Sequence, residues 1–212
     1  MSLFLGKIHY WLFNKILWFE GLEDEIIKLA ENEGLDIEKL SSEINSKYGE
    51  KLPNKPLEDM IDTENIHGWL QSKIHSAEGR MAAWTTNILN NNENALVKMG
   101  NIYISQGKKA AKEVKGSKVI LTNSKEIYNS VNDYILDGMP CDRVNEVITL
   151  EDDIVEWNTR ICVHKEIWDM EKGSVSTFYN LRSLWIKAFV DEVNGDFEYI
   201  EMEDGIKTIK KK

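Results

Sequence analysis

The chain has 212 residues, with 36 acidic against 26 basic side chains and a formal net charge of −10. That balance offers no clustered Lys and Arg for phosphates, and no apolar run reaches the ~18 residues of a membrane span, so no nucleic-acid or membrane partner is expected. Hydrophobic content of 42% with only two cysteines points to an ordinary core and free thiols in a cytoplasmic setting.

In chain order, the spacing of apolar residues predicts a first helix over residues 3–31. Phe4, Ile8, Trp11, Leu12, Ile16 and Phe19 make its first half apolar over a wide arc. The start lacks a basic region, and polar residues interrupt the run, so no signal peptide is expected. Asp36 caps a second helix, Ile37 to Lys47, which Gly49 ends. Two prolines make residues 51–56 a connector. Leu57 to Ile61 reads as a short helical turn, and Thr63 or Asn65 caps a long helix to about Leu89. Further helices are expected over residues 93–115 and from Asn123 or Ser124 to about Leu136. Gly100 and Gly107 weaken the first of these or admit a neighbouring helix. Lys118 to Leu121 reads as a short strand or a connector.

After Pro140 the period changes. Val144 to Leu150 and Ile154 to His164 are rich in β-branched residues and predict a hairpin around Glu151-Asp152-Asp153. Ser174 to Val193 is helical. Phe197 to Met202 and Ile206 to Ile209 form a second hairpin around Glu203-Asp204-Gly205. The basic run Lys207 to Lys212 reads mostly as a solvated tail. The expected fold class is α+β in one compact unit: a helical layer over residues 3–136, packed with a small antiparallel sheet of two hairpins plus a helix over residues 143–210.

Two stretches repeat each other. Ile8-His9-Tyr10-Trp11-Leu12-Phe13-Asn14-Lys15-Ile16, followed by Glu20-Gly21, matches Ile66-His67-Gly68-Trp69-Leu70-Gln71-Ser72-Lys73-Ile74, followed by Glu78-Gly79. In each copy His, Leu, Ile and Glu fall on one helical stripe. An antiparallel arrangement of the two helices sets His9 level with Glu78 and His67 level with Glu20. His75, three residues before Glu78, then joins His9 and Glu78 as two imidazoles and a carboxylate, a set that suits Fe, Zn or Mn as a divalent metal. The competing reading is a buried His–Glu contact that fixes helix register.

A second cluster lies in the sheet. In an extended strand, Arg160, Cys162 and His164 share one face while Ile161 and Val163 face the core. Cys162 and His164 then form a candidate nucleophile and base, and Arg160 a clamp for a carboxylate. Cys141, in the turn-rich run Asp137 to Arg143, is the rival nucleophile. A free cysteine that only packs is the plain alternative.

The run Val147-Ile148-Thr149-Leu150, then Val155-Glu156-Trp157-Asn158-Thr159-Arg160-Ile161-Cys162, a helix and a closing strand, resembles the C-terminal half of the 2-aminothiazoline-4-carboxylate hydrolase-like proteins. The resemblance covers residues 124–202. It implies a small α+β protein that hydrolyses a small ring or amide through a cysteine, with Cys162 in that role and Arg160 beside it. In this chain Ile161 stands between Arg160 and Cys162, no further cysteine follows the last helix, and the His/Trp repeat is not part of that pattern.

The leading expectation is a cytoplasmic hydrolase for a small carboxylate-bearing substrate, working through the Cys/His set or a metal. A second is a non-catalytic binding or sensing protein with an aromatic-rich small-molecule pocket between the repeat helices. A third is an interaction module that buries Trp11, Trp18, Trp69 and Trp84 in a homodimer interface.

Overall fold

The structure is a computed structural model that describes residues 5–212. The expected helix start at residue 3 and the contribution of Phe4 lie outside the described residues. The fold is α+β, with a helical N-terminal part and a four-stranded antiparallel sheet. The chain divides into two compact units. One holds residues up to 96 with 135–139 and 164–174, and the other holds 97–134, 140–163 and 175–212.

The first unit is built on α1 (Lys7–Asn32), α2 (Ile37–Tyr48) and α3 (Ile66–Asn91), joined by α6 (Lys165–Met170). The helices start where their caps sit. The Asp36 side chain accepts from the Lys39 amide, and the Asn65 side chain from that of Gly68. α1 has no acidic or hydroxyl cap. Instead the His9 ring, at its third position, accepts from the Gly6 amide through Nδ1 at 3.0 Å. The Lys51–Pro56 connector and a single 3-10 turn at Leu57–Asp59 follow the sequence reading.

The direction of packing differs from the expectation. The His9 and His67 rings lie 5.7 Å apart at the starts of α1 and α3, and Arg80 of α3 meets Glu20 and Glu23 of α1 three to four turns further on. The two repeat helices therefore run parallel, with α2 as the return limb. Leu12 and Ile16 of α1 and Leu70 and Ile74 of α3 are buried along the seam. Not every recurring side chain packs there: Ile8 is 46% exposed, and His67 is exposed. Trp11 and Trp69 each receive the lysine four residues on, with Nζ 3.6 Å and 5.5 Å from the ring centres. At the recurring glycine of the second copy, a Cβ on Gly79 would fall 2.2 Å from Cδ1 of Tyr48.

The second unit holds most of α4 (Ala95–Gly116), α5 (Ser124–Asn132), α7 (Val175–Val193) and all four strands. The strands β1 (Asn145–Leu150), β2 (Ile154–Thr159), β3 (Phe197–Glu201) and β4 (Lys207–Lys211) pair in the order β1-β2-β4-β3, every neighbour antiparallel. Both hairpins form as expected, and β2 and β4 join them. α7 packs against β3, and α5 against β2 and β4. Val155, Trp157, Tyr199 and Ile209 supply the buried face of the sheet. On α4, Gly107 lets α7 approach so closely that a Cβ would sit 2.4 Å from the Trp185 carbonyl oxygen. Residues 118–121 form no strand, and α5 ends at Asn132 rather than near Leu136.

Candidate functional site

The expected strand from Ile154 to His164 ends at Thr159. The ladder closes where the Arg160 and Ile161 amides both donate to the Val144 carbonyl, and the chain then bends. Alternation is lost at this point, so Arg160, Cys162 and His164 do not share a strand face. Ile161, expected in the core, is 43% exposed.

His164 precedes α6 and is 1% exposed. Its Nε2 lies 2.9 Å from Asp137 Oδ1, and its Nδ1 lies 3.0 Å from Glu78 Oε1. The Asp137 contact is a hydrogen bond. The Glu78 contact has ion-pair distance without hydrogen-bond geometry. Carboxylates thus flank both ring nitrogens. The Cys162–His164 pairing expected from the sequence needs both side chains on one face of a strand, and the end of β2 at Thr159 removes that face. What His164 does is tie three separate pieces of the first unit together: α3, the 135–139 segment and the start of α6.

The repeat residues expected to form a metal set are likewise placed elsewhere. His9 is buried against the exposed His67. Parallel packing leaves Glu78 eleven residues beyond His67 on α3, roughly 16 Å along the axis. His75 is exposed. Glu20 faces Arg80 rather than His67. Among the described residues no group of three or more His, Cys, Asp or Glu side chains is placed to hold a metal. The divalent-metal centre of His9, His75 and Glu78, with its counterpart of His67 and Glu20, is therefore not assembled. The assumption that fails is the antiparallel direction.

Glu20 and Glu23 form a second buried charge cluster that centres on Arg80. Arg80 Nη2 donates to Glu20 Oε1 at 2.5 Å, and Nε donates to both Glu23 oxygens at 2.9 and 3.1 Å. Nη1 donates to the Gly49 and Glu50 carbonyls and to Ser76 Oγ. The Leu52 amide donates to both Glu20 oxygens. Burial pushes the Glu23 carboxyl up to about 6, against the opposing pull of Arg80. The sequence reading missed Arg80 and Glu23. A signal existed, because the repeat breaks down at Leu22 and Arg80, where a buried cation replaces an aliphatic residue.

In the second unit the exposed thiols of Cys141 and Cys162 lie on the strand ends and turn that Arg160 holds together. Arg160 Nε donates to the Arg143 carbonyl at 3.2 Å, and Nη2 donates to the Asp142 and Arg143 carbonyls at 3.3 and 3.1 Å. The hydroxyl of Tyr179 on α7 donates to Cys162 Sγ at 3.3 Å. The Arg182 guanidinium, one turn on and 7% exposed, lies 4.8 Å from the Tyr179 ring centre and 5.3 Å from that of Phe178. A cation on the ring draws electron density from it and strengthens the phenol as a donor to sulfur. Neither Tyr179 nor Arg182 was singled out from sequence. Their spacing of three on the helix that follows Cys162 was the available signal.

Compared with protein-family models, with characterised proteins and with solved structures, the chain matches none. No helix among the described residues is long and apolar enough to cross a membrane.

Proposed function

We propose that the protein is a cytoplasmic thiol hydrolase for a small carboxylate-bearing substrate, with Cys162 as its nucleophile. The carrying observation is the Tyr179 hydroxyl directed at an exposed Cys162 sulfur, with Arg182 against the Tyr179 ring. A donor at that place stabilises the thiolate that attacks. The sulfur adds to the electrophilic amide or ring carbon, and the nitrogen or ring sulfur bound to that carbon leaves with the thiol's proton. Water then adds to the same carbon and displaces Cys162, which restores the thiol and leaves an acid from an amide or a carbamoyl group from the ring. Arg160 uses Nε and Nη2 to hold the Asp142–Arg143 turn, which leaves Nη1 for a substrate carboxylate. The resemblance of residues 124–202 to the 2-aminothiazoline-4-carboxylate hydrolase-like proteins supports the same residue and substrate class.

The test is consumption of 2-aminothiazoline-4-carboxylate, followed by chromatography. Wild type and Cys141→Ala are expected to consume it, Cys162→Ala is not, and Tyr179→Phe is expected to be slowed by 10-fold or more through loss of the hydrogen bond. Consumption that survives in Cys162→Ala, or none in wild type, removes the reading.

A further inference from the structure

Cys141 and Cys162 are the two cysteines of the chain, both are exposed, and both lie in the second unit. The β1–β2 pair brings their segments together. Its last paired residues are Asn145 and Thr159, yet the two segments stay side by side beyond that point. The Val144 carbonyl accepts from the amides of both Arg160 and Ile161, at 2.8 and 3.3 Å. Two residues thus oppose one, as in a β-bulge, and the register carried past it sets Cys162 level with Arg143. Arg143 has a φ of 49°, a left-handed conformation that its side chain disfavours, and its carbonyl is held by Nε and Nη2 of Arg160. The Asp142 carbonyl is held by the same guanidinium. Cys141 is the next residue, in the 3-10 turn Pro140–Asp142. Two residues separate it from the level of Cys162. A disulfide needs Cα atoms roughly 4.4–6.8 Å apart, which a small shift of this exposed turn supplies.

We infer that Cys141 and Cys162 form a reversible intrachain disulfide when the protein meets a hydroperoxide. Cys162 reacts first, because the Tyr179 hydroxyl donates to its sulfur at 3.3 Å and favours the thiolate. The sulfur attacks the terminal peroxide oxygen and the O–O bond breaks. An alcohol, or water from hydrogen peroxide, leaves with the thiol's proton. Cys162 is then a sulfenic acid, oxidised by two electrons. The Cys141 sulfur attacks the Cys162 sulfur, the S–O bond breaks, and hydroxide leaves as water with the Cys141 proton. A thiol reductant reverses the change by exchange. Neither step requires a hydrolase substrate. Whatever carbon Cys162 attacks, the bond withdraws its sulfur from that chemistry until it is reduced.

The test is mass spectrometry of the reduced full chain, held at about 1 μM to favour reaction within one molecule, after an excess of hydrogen peroxide and then an alkylating agent. The oxidised chain is expected to take up no alkyl group and to be lighter by two hydrogen atoms. A nonreduced digest is expected to contain one peptide pair that joins Cys141 to Cys162, and dithiothreitol is expected to restore both alkylatable thiols. Cys141→Ser is expected to stop at the sulfenic acid on Cys162, trapped with dimedone. In Cys162→Ser, Cys141 is expected to react with peroxide at least about 10-fold more slowly than Cys162 does in Cys141→Ser. Two alkylatable thiols after peroxide overturn the inference. So does a bond found only between copies on a nonreducing gel, or a sulfinic acid on Cys162 with Cys141 still free.

Discussion

Arg80 shows how the interior handles charge. Two carboxylates share one guanidinium, and every donor nitrogen of that guanidinium has an acceptor. Replacing Arg80 by Met leaves Glu20 and Glu23 without their cation in the core. A loss of about 3–5 kcal/mol in urea unfolding is expected. Glu23 itself gives a pH signature. Its carboxyl is raised from 4.5 to about 6, so the folded state holds the proton more tightly than the unfolded state. Stability from this group is therefore greatest at low pH and declines as the pH rises through about 6. The advantage of wild type over Glu23→Gln is expected to fall by about 2 kcal/mol across that window, as read from denaturant midpoints. His9 acts in the opposite sense. Burial first and the neighbouring His67 second lower its pKa from 6.5. A neutral ring is also what Nδ1 needs in order to accept from the Gly6 amide. Its contribution is present above 6.5 and is lost as the pH falls below. Thermal melts of wild type and His9→Gln should accordingly converge on acidification. Exposed His75 should tolerate Ala within about 0.5 kcal/mol.

Among the elements, α1 and α3 carry the clearest geometric claim. They have the same length of 26 residues, begin within one residue of equivalent points of the repeat and pack in parallel. Spin labels on exposed Lys28, Asn90 and Glu64 test this directly. The Lys28–Asn90 distance is expected to be much the shorter, whereas antiparallel helices would make Lys28–Glu64 the shorter. The α4–α7 contact is equally specific. Gly107→Ala forces a Cβ against the Trp185 carbonyl, a rigid neighbour, and should lower stability by about 1–3 kcal/mol in thermal or urea unfolding. Asn65→Ala removes the α3 cap, with an expected loss of about 1 kcal/mol.

For the whole molecule, the buried polar clusters and the exposed thiol corner have separate roles. The Glu78–His164–Asp137 and Glu20–Arg80–Glu23 groups are enclosed in the first unit and join chain segments far apart in sequence. That is a task of specificity in packing. The exposed groups with chemical potential, Cys162 with Tyr179 and Arg160, lie in the second unit. Trp84, one of the aromatics expected in a dimer interface, is buried, and Leu12, Ile16, Leu70 and Ile74 lie buried along the seam where a ligand pocket was expected.

The longer helices, the Asp36 cap, the start of α3 to within Thr63 or Asn65 and that of α5 to within Asn123 or Ser124, both hairpins and the α+β class were legible in the sequence, because they rest on periodicity and on local hydrogen bonds within three or four residues. The repeat also named the residues that pack α1 on α3. What it left open was direction. A stripe of Leu and Ile interlocks with a copy of itself in either sense, and only the return through α2 with its connector sets His9 beside His67. The short α6 was missed because six residues carry less than two helical turns of pattern. The partners of buried charges were likewise set by tertiary structure. Glu20, Glu23 and His164 look alike as polar residues in sequence, but Arg80, Glu78 and Asp137 reach them only when α1, α3 and the segments around α6 meet in space. The chain by itself determined which faces are apolar and where each element begins; the tertiary structure decided which charge meets which, since a buried ion must find its counter-ion wherever packing brings one within reach.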